Sequence, residues 1–222
     1  MNKSIVLLLI LGLLASCKEE EKSMKVLLET SEGNIVLQLY DDTPQHSKNF
    51  LKLVKKGYYD GIIFHRVIAN FMIQAGDPNS KNPTPDGNYG SGGPDYKIPA
   101  EILPNHHHKK GVLAAARTNN PKKESSGSQF YIVQGKVFDA EDLNEMEENK
   151  KSINPAFKFS DEAVKNYTTI GGTPHLDGEY TVFGEVVEGL DVVDKIAVTQ
   201  TRPGDRPVKD IFIKKATVVK KK

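Results

Sequence analysis

The sequence predicts an all-β domain: a closed barrel with two helical covers and one helical excursion. Three observations carry this. Apolar-rich runs of strand length recur along the chain, bounded by Gly, Pro, Asn, Asp and Ser. Outside one charged stretch, only two segments show amphipathic helical spacing. From Met24 onward roughly 200 residues remain, which suits a single domain with a sizeable core.

The elements follow in order. Met24 to Thr30 and Asn34 to Tyr40, separated by Ser-Glu-Gly, read as a β-hairpin. Thr43 and Pro44 open a helix as N-cap and first helical residue. His46, Phe50, Leu53 and Val54 give that helix its buried face, and Gly57 ends it. The runs around Phe64 and Phe71 are short strands. Asn79 to Pro99, rich in Gly, Pro, Asn and Ser, is an ordered surface loop. Val112 to Ala116 and Phe130 to Gln134 are strands, the second entered from the loop 119–128. Val182 to Val187 is a strand, Leu190 to Ala197 a short helix, and Ile211 to Val219 a closing strand. Between them the excursion 137–169 holds a charged helix at Ala140 to Lys151 and a second at Ser160 to Tyr167, with Ser160 as N-cap. About 35 residues are too few for an independent core, so the excursion is an insertion and not a domain.

Residues 1–23 have a different texture. Lys3, the apolar run Ile5 to Leu14 and Leu14-Ala15-Ser16-Cys17 read as a signal peptide, too short to span a bilayer. Leu-Ala-Ser-Cys resembles the bacterial lipobox, which implies cleavage after Ser16 and lipidation of Cys17. Lys18 to Ser23 is then a charged tether. The expected location is the bacterial cell envelope, with the domain lipid-anchored and facing the periplasm or the cell exterior. Cys17 is the only cysteine, so no intrachain disulfide can form. The 30 Lys and Arg residues nearly balance the 29 Asp and Glu residues and are scattered. That pattern lacks the basic stripe of a nucleic-acid binder.

One strand stands out. Phe64-His65-Arg66-Val67-Ile68 alternates in the manner of a strand, which puts Phe64, Arg66 and Ile68 on one face and His65 and Val67 on the other. A guanidinium between Phe and Ile needs a partner or a solvated cleft. An edge strand with Arg66 in water and a strand lining a functional cleft are both compatible with this segment alone.

Four ordered blocks narrow the choice: Phe64 to Ile68 with Phe71-Met72-Ile73-Gln74-Ala75-Gly76-Asp77, then Gly111 to Arg117, then Gly127-Ser128-Gln129-Phe130-Tyr131-Ile132, then His175-Leu176-Asp177-Gly178-Glu179-Tyr180-Thr181-Val182-Phe183-Gly184. In sequence and order they resemble the cyclophilin family of peptidyl-prolyl cis–trans isomerases over most of 24–219. The resemblance implies a closed eight-stranded antiparallel barrel with a helix at each end. It also implies rotation of Xaa-Pro bonds without nucleophile, metal or cofactor. Arg66 is the implied catalytic residue. Phe71, Met72, Tyr131 and Leu176 would wall a proline pocket. Gln74 would bind the substrate backbone and orient Arg66. Ala116 and Arg117 would line the groove for the residues before proline, Gln129 and Phe130 would support the adjoining groove, and Tyr180 would stand where many members have a pocket His. The implied partners are proline-containing peptides and unfolded envelope proteins, met by a monomer.

The departures from the family pattern are local. Tyr131 stands where many members have Phe, and its hydroxyl needs a partner or water. His175 stands where eukaryotic members have Trp, so weak cyclosporin binding is expected. The insertion 137–169 replaces a shorter connection and should sit beside the pocket rim, where it could narrow substrate choice, recruit a partner or serve as plain decoration. His106-His107-His108 is not expected to bind metal, because adjacent side chains point apart. Ser128 lacks the Gly-x-Ser-x-Gly turn of a serine hydrolase. The alternative of another class is a non-catalytic peptide-binding or adhesive lipoprotein on the same fold.

Overall fold

The computed structural model describes residues 24–219. The expected signal peptide, the lipidation expected at Cys17 and the charged tether lie outside the described residues. Eleven strands and four α-helices make up the domain. In chain order these are β1 (Lys25–Thr30), β2 (Asn34–Leu39), α1 (Pro44–Lys55), β3 (Ile62–Ile63), β4 (Arg66–Ile68), β5 (Met72–Ala75), β6 (Lys97–Ile98), β7 (Val112–Ala115), β8 (Ser125–Ser126), β9 (Phe130–Val133), α2 (Ala140–Lys151), α3 (Asp161–Thr169), β10 (Val182–Glu188), α4 (Leu190–Ala197) and β11 (Phe212–Val219).

Nine strands form one curled sheet in the order β3-β11-β1-β2-β10-β7-β9-β5-β4, and β6 pairs with β8 apart from it. This corrects the expected closed eight-stranded barrel: the sheet is open, with β3 and β4 as its edges. Every ladder in the sheet is antiparallel, so the two edges of a nine-stranded sheet run in the same sense. Only Phe64 and His65 separate these two, so β4 continues β3 along the chain, with β3 paired to β11 and β4 to β5. The edges therefore meet through the covalent chain and not through a ladder.

The curled sheet has two apolar faces. Its inner face carries the main core, including Val26, Leu28, Leu37, Ile73, Leu113, Ile132 and Ile213, closed by Phe50, Leu53 and Val54 of α1 and by Val193 and Ile196 of α4. Phe50 sets its ring edge-on to Phe130 at 5.4 Å and to Phe183 at 5.6 Å. Alternation sends Met72, Val112, Ala114, Ala116, Tyr131, Val133 and Val182 to the opposite face, where they form a second cluster. The candidate site grows on that outer cluster.

The ends of α1 differ in kind. At its C-terminus Gly57 is left-handed, with φ +63°, and the N–H groups of Gly57 and Tyr58 donate to Val54 and Leu53. This Schellman turn is what the glycine permits. At its N-terminus Thr43 makes no capping bond. Glu101, from a distant loop, does so instead: its carboxylate accepts from the backbone N–H groups of Gln45 and His46, each at 3.0 Å, and meets His46 Nδ1 at 2.6 Å. A cap supplied from so far along the chain leaves no local sequence signal. Replacing Glu101 with Ala is expected to cost about 2 kcal/mol, as a lost cap plus a buried His46 Nδ1 left without its partner. Urea denaturation measures it, and an unchanged midpoint would show that Glu101 is dispensable.

The insertion folds on a small cluster of its own, Phe138, Leu143, Phe159, Ala163 and Tyr167. Ser160 caps α3 by accepting from Ala163 N–H at 3.1 Å, and Asp139 caps α2 in the same way from Asp142 at 2.8 Å. The insertion leaves and rejoins the sheet at a narrow neck, where Lys136 and Gly172 exchange backbone hydrogen bonds.

Candidate active site

The site is organised by strand register. Arg66 on β4 lies opposite Gln74 on β5, Gln74 opposite Tyr131 on β9, Tyr131 opposite Ala114 on β7, and Ala114 opposite Val182 on β10. Cross-strand partners project to the same face of a sheet. A polar edge, Arg66 and Gln74, thus stands next to an apolar floor. Beside this line opens a cleft of about 160 Å³ lined by Arg66, Phe71, Met72, Gln74, Ala116, Arg117, Tyr131, Leu176 and Tyr180. A second hollow, walled by His65, Asn88, Tyr89, Gly90, Ser91 and Gly204, meets it at Arg66 and Gln74.

Two residues of the expected set do not line the cleft. Phe130 follows the alternation of β9 to the inner face and packs edge-on against Phe50 and Tyr59. Gln129 is buried behind the wall and acts as a clamp. Its Oε1 accepts from Gln74 Nε2 at 3.1 Å, and its Nε2 donates to the carbonyls of Gly90 and Gly92 at 2.9 and 2.8 Å. Gly76 lets β5 approach this clamp, since a Cβ there would lie 2.3 Å from the Ser128 carbonyl oxygen. Gln74 is therefore held by Gln129 and does not orient Arg66.

Asp205 orients Arg66. Its Oδ2 accepts from Arg66 Nε at 3.3 Å, and its backbone carbonyl accepts from Val67 N–H at 2.8 Å. The second bond pins Asp205 to β4 beside the arginine. Among the described residues no acceptor takes the two terminal nitrogens of the guanidinium, and the Arg66 side chain is 44 % exposed. The sequence could not reveal this partner, because 139 positions separate Asp205 from Arg66. The expectation that Phe64 and Arg66 share a face also needs correcting. The ladder is interrupted at Phe64 and His65, so the period of two restarts at Arg66. Phe64 is wholly buried in the main core, while Arg66 and Ile68 point to the outer face.

The remaining walls are fixed by polar contacts at their backs. Arg117 donates through Nε to the Glu179 carbonyl at 2.9 Å and through Nη2 to the Glu179 carboxylate at 3.1 Å, and it stacks over the Tyr180 ring at 4.7 Å. Tyr131 meets Tyr180 edge-on at 5.8 Å. Burial pushes the Tyr131 hydroxyl well above its ordinary pKa, so it stays protonated. The partner this hydroxyl needed is His108, whose Nε2 lies 3.0 Å away. His175 is exposed, with its ring 5.4 Å from Phe71.

The three adjacent histidines diverge. His106 Nε2 meets Asp42 at 2.8 Å, His107 Nε2 meets Asn166 of α3 at 2.8 Å, and His108 turns inward to Tyr131 and Asp177.

The family model for "Cyclophilin type peptidyl-prolyl cis-trans isomerase/CLD" matches residues 25–218. A Staphylococcus saprophyticus protein named as a candidate peptidyl-prolyl cis-trans isomerase is 35 % identical over 197 residues, covering 88 % of this chain and 92 % of its own length. A similarly named Staphylococcus aureus protein is 34 % identical over 201 residues, covering 90 % and 93 %. Among solved structures, a cyclophilin-type isomerase of Cryptosporidium parvum superposes with TM-score 0.66 at 24 % identity, over 90 % of this chain and 99 % of that one. The same parasite protein, crystallised in the presence of the dipeptide Ala-Pro, gives TM-score 0.65 over 89 % and 99 %.

Proposed function

The chain belongs to the cyclophilin-type peptidyl-prolyl cis-trans isomerase family, and from that premise we propose that the outer-face cleft isomerises Xaa-Pro bonds with Arg66 as its catalytic residue. The observation that carries this reading is the register line Arg66–Gln74–Tyr131 beside a cleft of about 160 Å³.

The chemistry follows from the amide. Resonance holds the prolyl bond planar against a barrier of about 18–20 kcal/mol. Twisting the bond removes the resonance, pyramidalises the nitrogen and frees its lone pair. A donor placed at that nitrogen binds the twisted state better than either planar one, and that difference is the catalysis. In this reading the free terminal N–H groups of Arg66 are that donor. They are permanently charged and already aimed by Asp205, so little reorganisation is needed. Phe71, Met72, Tyr131 and Leu176 take the proline ring. Gln74, held through its amide nitrogen, offers its free Oε1 to a substrate backbone N–H. Ala116 and Arg117 border the residues before proline. The Ala-Pro dipeptide present with the parasite protein is the kind of ligand this pocket would accept.

A protease-coupled assay on a Xaa-Pro tetrapeptide tests the reading. The protein is expected to accelerate cis-to-trans conversion in proportion to its concentration. A rate equal to the spontaneous one would overturn the assignment.

The proposal extends to place. The apolar run Ile5 to Leu14 and Cys17 support a tether to a bacterial membrane, which would set the domain, acting as a monomer, among folding envelope proteins. Metabolic labelling with a fatty acid is expected to mark the protein and to fail on Cys17→Ser. Equal labelling of both would sink the anchor.

A further inference from the structure

The insertion and the proline cleft are joined by a chain of buried side chains. Asp177 follows Leu176, a wall of the cleft, and its carboxylate is at the centre. Oδ2 accepts from the Tyr167 hydroxyl of α3 at 2.6 Å. Oδ1 accepts from the backbone N–H of His108 at 2.8 Å and from His108 Nδ1 at 2.9 Å. A carboxylate only accepts, so the proton on this ring sits at Nδ1. Nε2 is left as an acceptor, and the Tyr131 hydroxyl donates to it across 3.0 Å. From α2, Lys150 Nζ donates to the Asp177 backbone carbonyl at 2.7 Å. Tyr167 and His108 are 0 % exposed, Tyr131 4 % and Asp177 7 %.

Such a chain does two things to the cleft. It points the Tyr131 hydrogen away from the cleft, so the wall presents an aromatic ring and no competing donor. It also fixes the turn carrying Leu176, because α2 and α3 both hold Asp177. Water does not reach these bonds, so their geometry is imposed on the walls they support.

We propose that the 137–169 insertion is a positioning element for the proline cleft, acting through Tyr167, Asp177 and His108 on Tyr131 and through Asp177 on Leu176. Tyr167, Asp177 and His108 are positioning residues and touch no substrate. The inference rests on the reading of the cleft as the proline site. It deepens that reading by making substrate affinity depend on helices outside the sheet.

A double-mutant cycle tests it, read in both isomerase kinetics and the Kd of an Ala-Pro tetrapeptide followed by NMR. Tyr167→Phe keeps the ring in its cluster and removes only the hydroxyl. Tyr167→Phe is expected to raise KM and Kd about threefold to tenfold with kcat nearly unchanged, because a displaced wall weakens ground and transition states alike. In a Tyr131→Phe background, where the branch to Tyr131 is already cut and only the one to Leu176 remains, the same change should have a clearly smaller effect. The His108 Nδ1–H resonance should exchange slowly in wild type and faster in Tyr167→Phe. Equal effects in both backgrounds, or no change in Kd, would overturn the proposal. A wild type that binds the peptide with the expected coupling but does not accelerate isomerisation would leave the positioning role standing and remove the enzymatic reading. If Tyr167→Phe fails to fold, Lys150→Met replaces it in the cycle, with the same two outcomes.

Discussion

Arg66→Ala is expected to lower kcat/KM on Xaa-Pro peptides by about 10²–10³-fold, the usual effect of removing one donor aimed at charge that develops in a transition state. Most of the loss should fall on kcat, because the planar substrate offers no nitrogen lone pair for the guanidinium to bind. Stability should barely change. Arg66 is 44 % exposed and its one ion pair, with Asp205, is equally exposed, so its removal costs little. Arg66→Lys should recover only part of the rate, since an ammonium cannot meet Asp205 through one nitrogen and keep a fixed planar pair of donors facing the cleft. The protease-coupled assay, run with thermal melts of the same samples, separates the cases. A variant that melts normally and still isomerises at the wild-type rate would remove Arg66 from the mechanism.

Much of this molecule is legible where the signal is local. The sequence places α4 at Leu190 to Ala197 and the charged insertion helix at Ala140 to Lys151, the bounds the structure shows. Both have helical spacing or strong helix formers between clear end signals. Strand periodicity likewise separates Leu113 from Ala114 and Ile132 from Tyr131. The same rule puts Phe130, expected to support the adjoining groove, on the face opposite Tyr131, where it packs against Phe50 and Tyr59. What stays hidden is contact between residues far apart in the chain. Glu101 caps α1, Asp205 aims Arg66, and Asp177 ties α3 to Tyr131, each from a segment whose own sequence gives no sign of it. The openness of the sheet is hidden for a related reason. Which strands form the edges is set by the pairing of the whole sheet, and no single strand records that.

Acidification should destabilise the domain well above the carboxylate range, and His65 is the principal cause. His65 is buried against the loop at Gly90, where a Cβ would lie 3.3 Å from its ring, and neither ring nitrogen has a hydrogen-bond partner. Burial lowers its pKa from 6.5 to about 4; the nearby Arg66 charge adds to this and Asp77 opposes it. The folded protein therefore takes up this proton only near pH 4, whereas the unfolded chain takes it up near 6.5. Between those values the unfolded state binds more protons, so stability falls as pH falls. The stabilisation is fully present above the unfolded value and is lost down to the folded one. It amounts to about 3 kcal/mol between about pH 7.5 and about pH 4. Burial lowers His46 and His107 as well, and each adds a loss of the same sign. Urea denaturation across that range should show midpoints falling steadily, and His65→Asn should be markedly less sensitive whatever its stability at neutral pH. A variant as pH-sensitive as the wild type would show that His65 is not the residue responsible. Because His65 precedes Arg66 and helps wall the second hollow, its protonation would also set a positive charge beside the guanidinium. Activity should thus fall near pH 4, where the folded protein takes up this proton, for the charged ring must find water or a partner at the strand that carries Arg66.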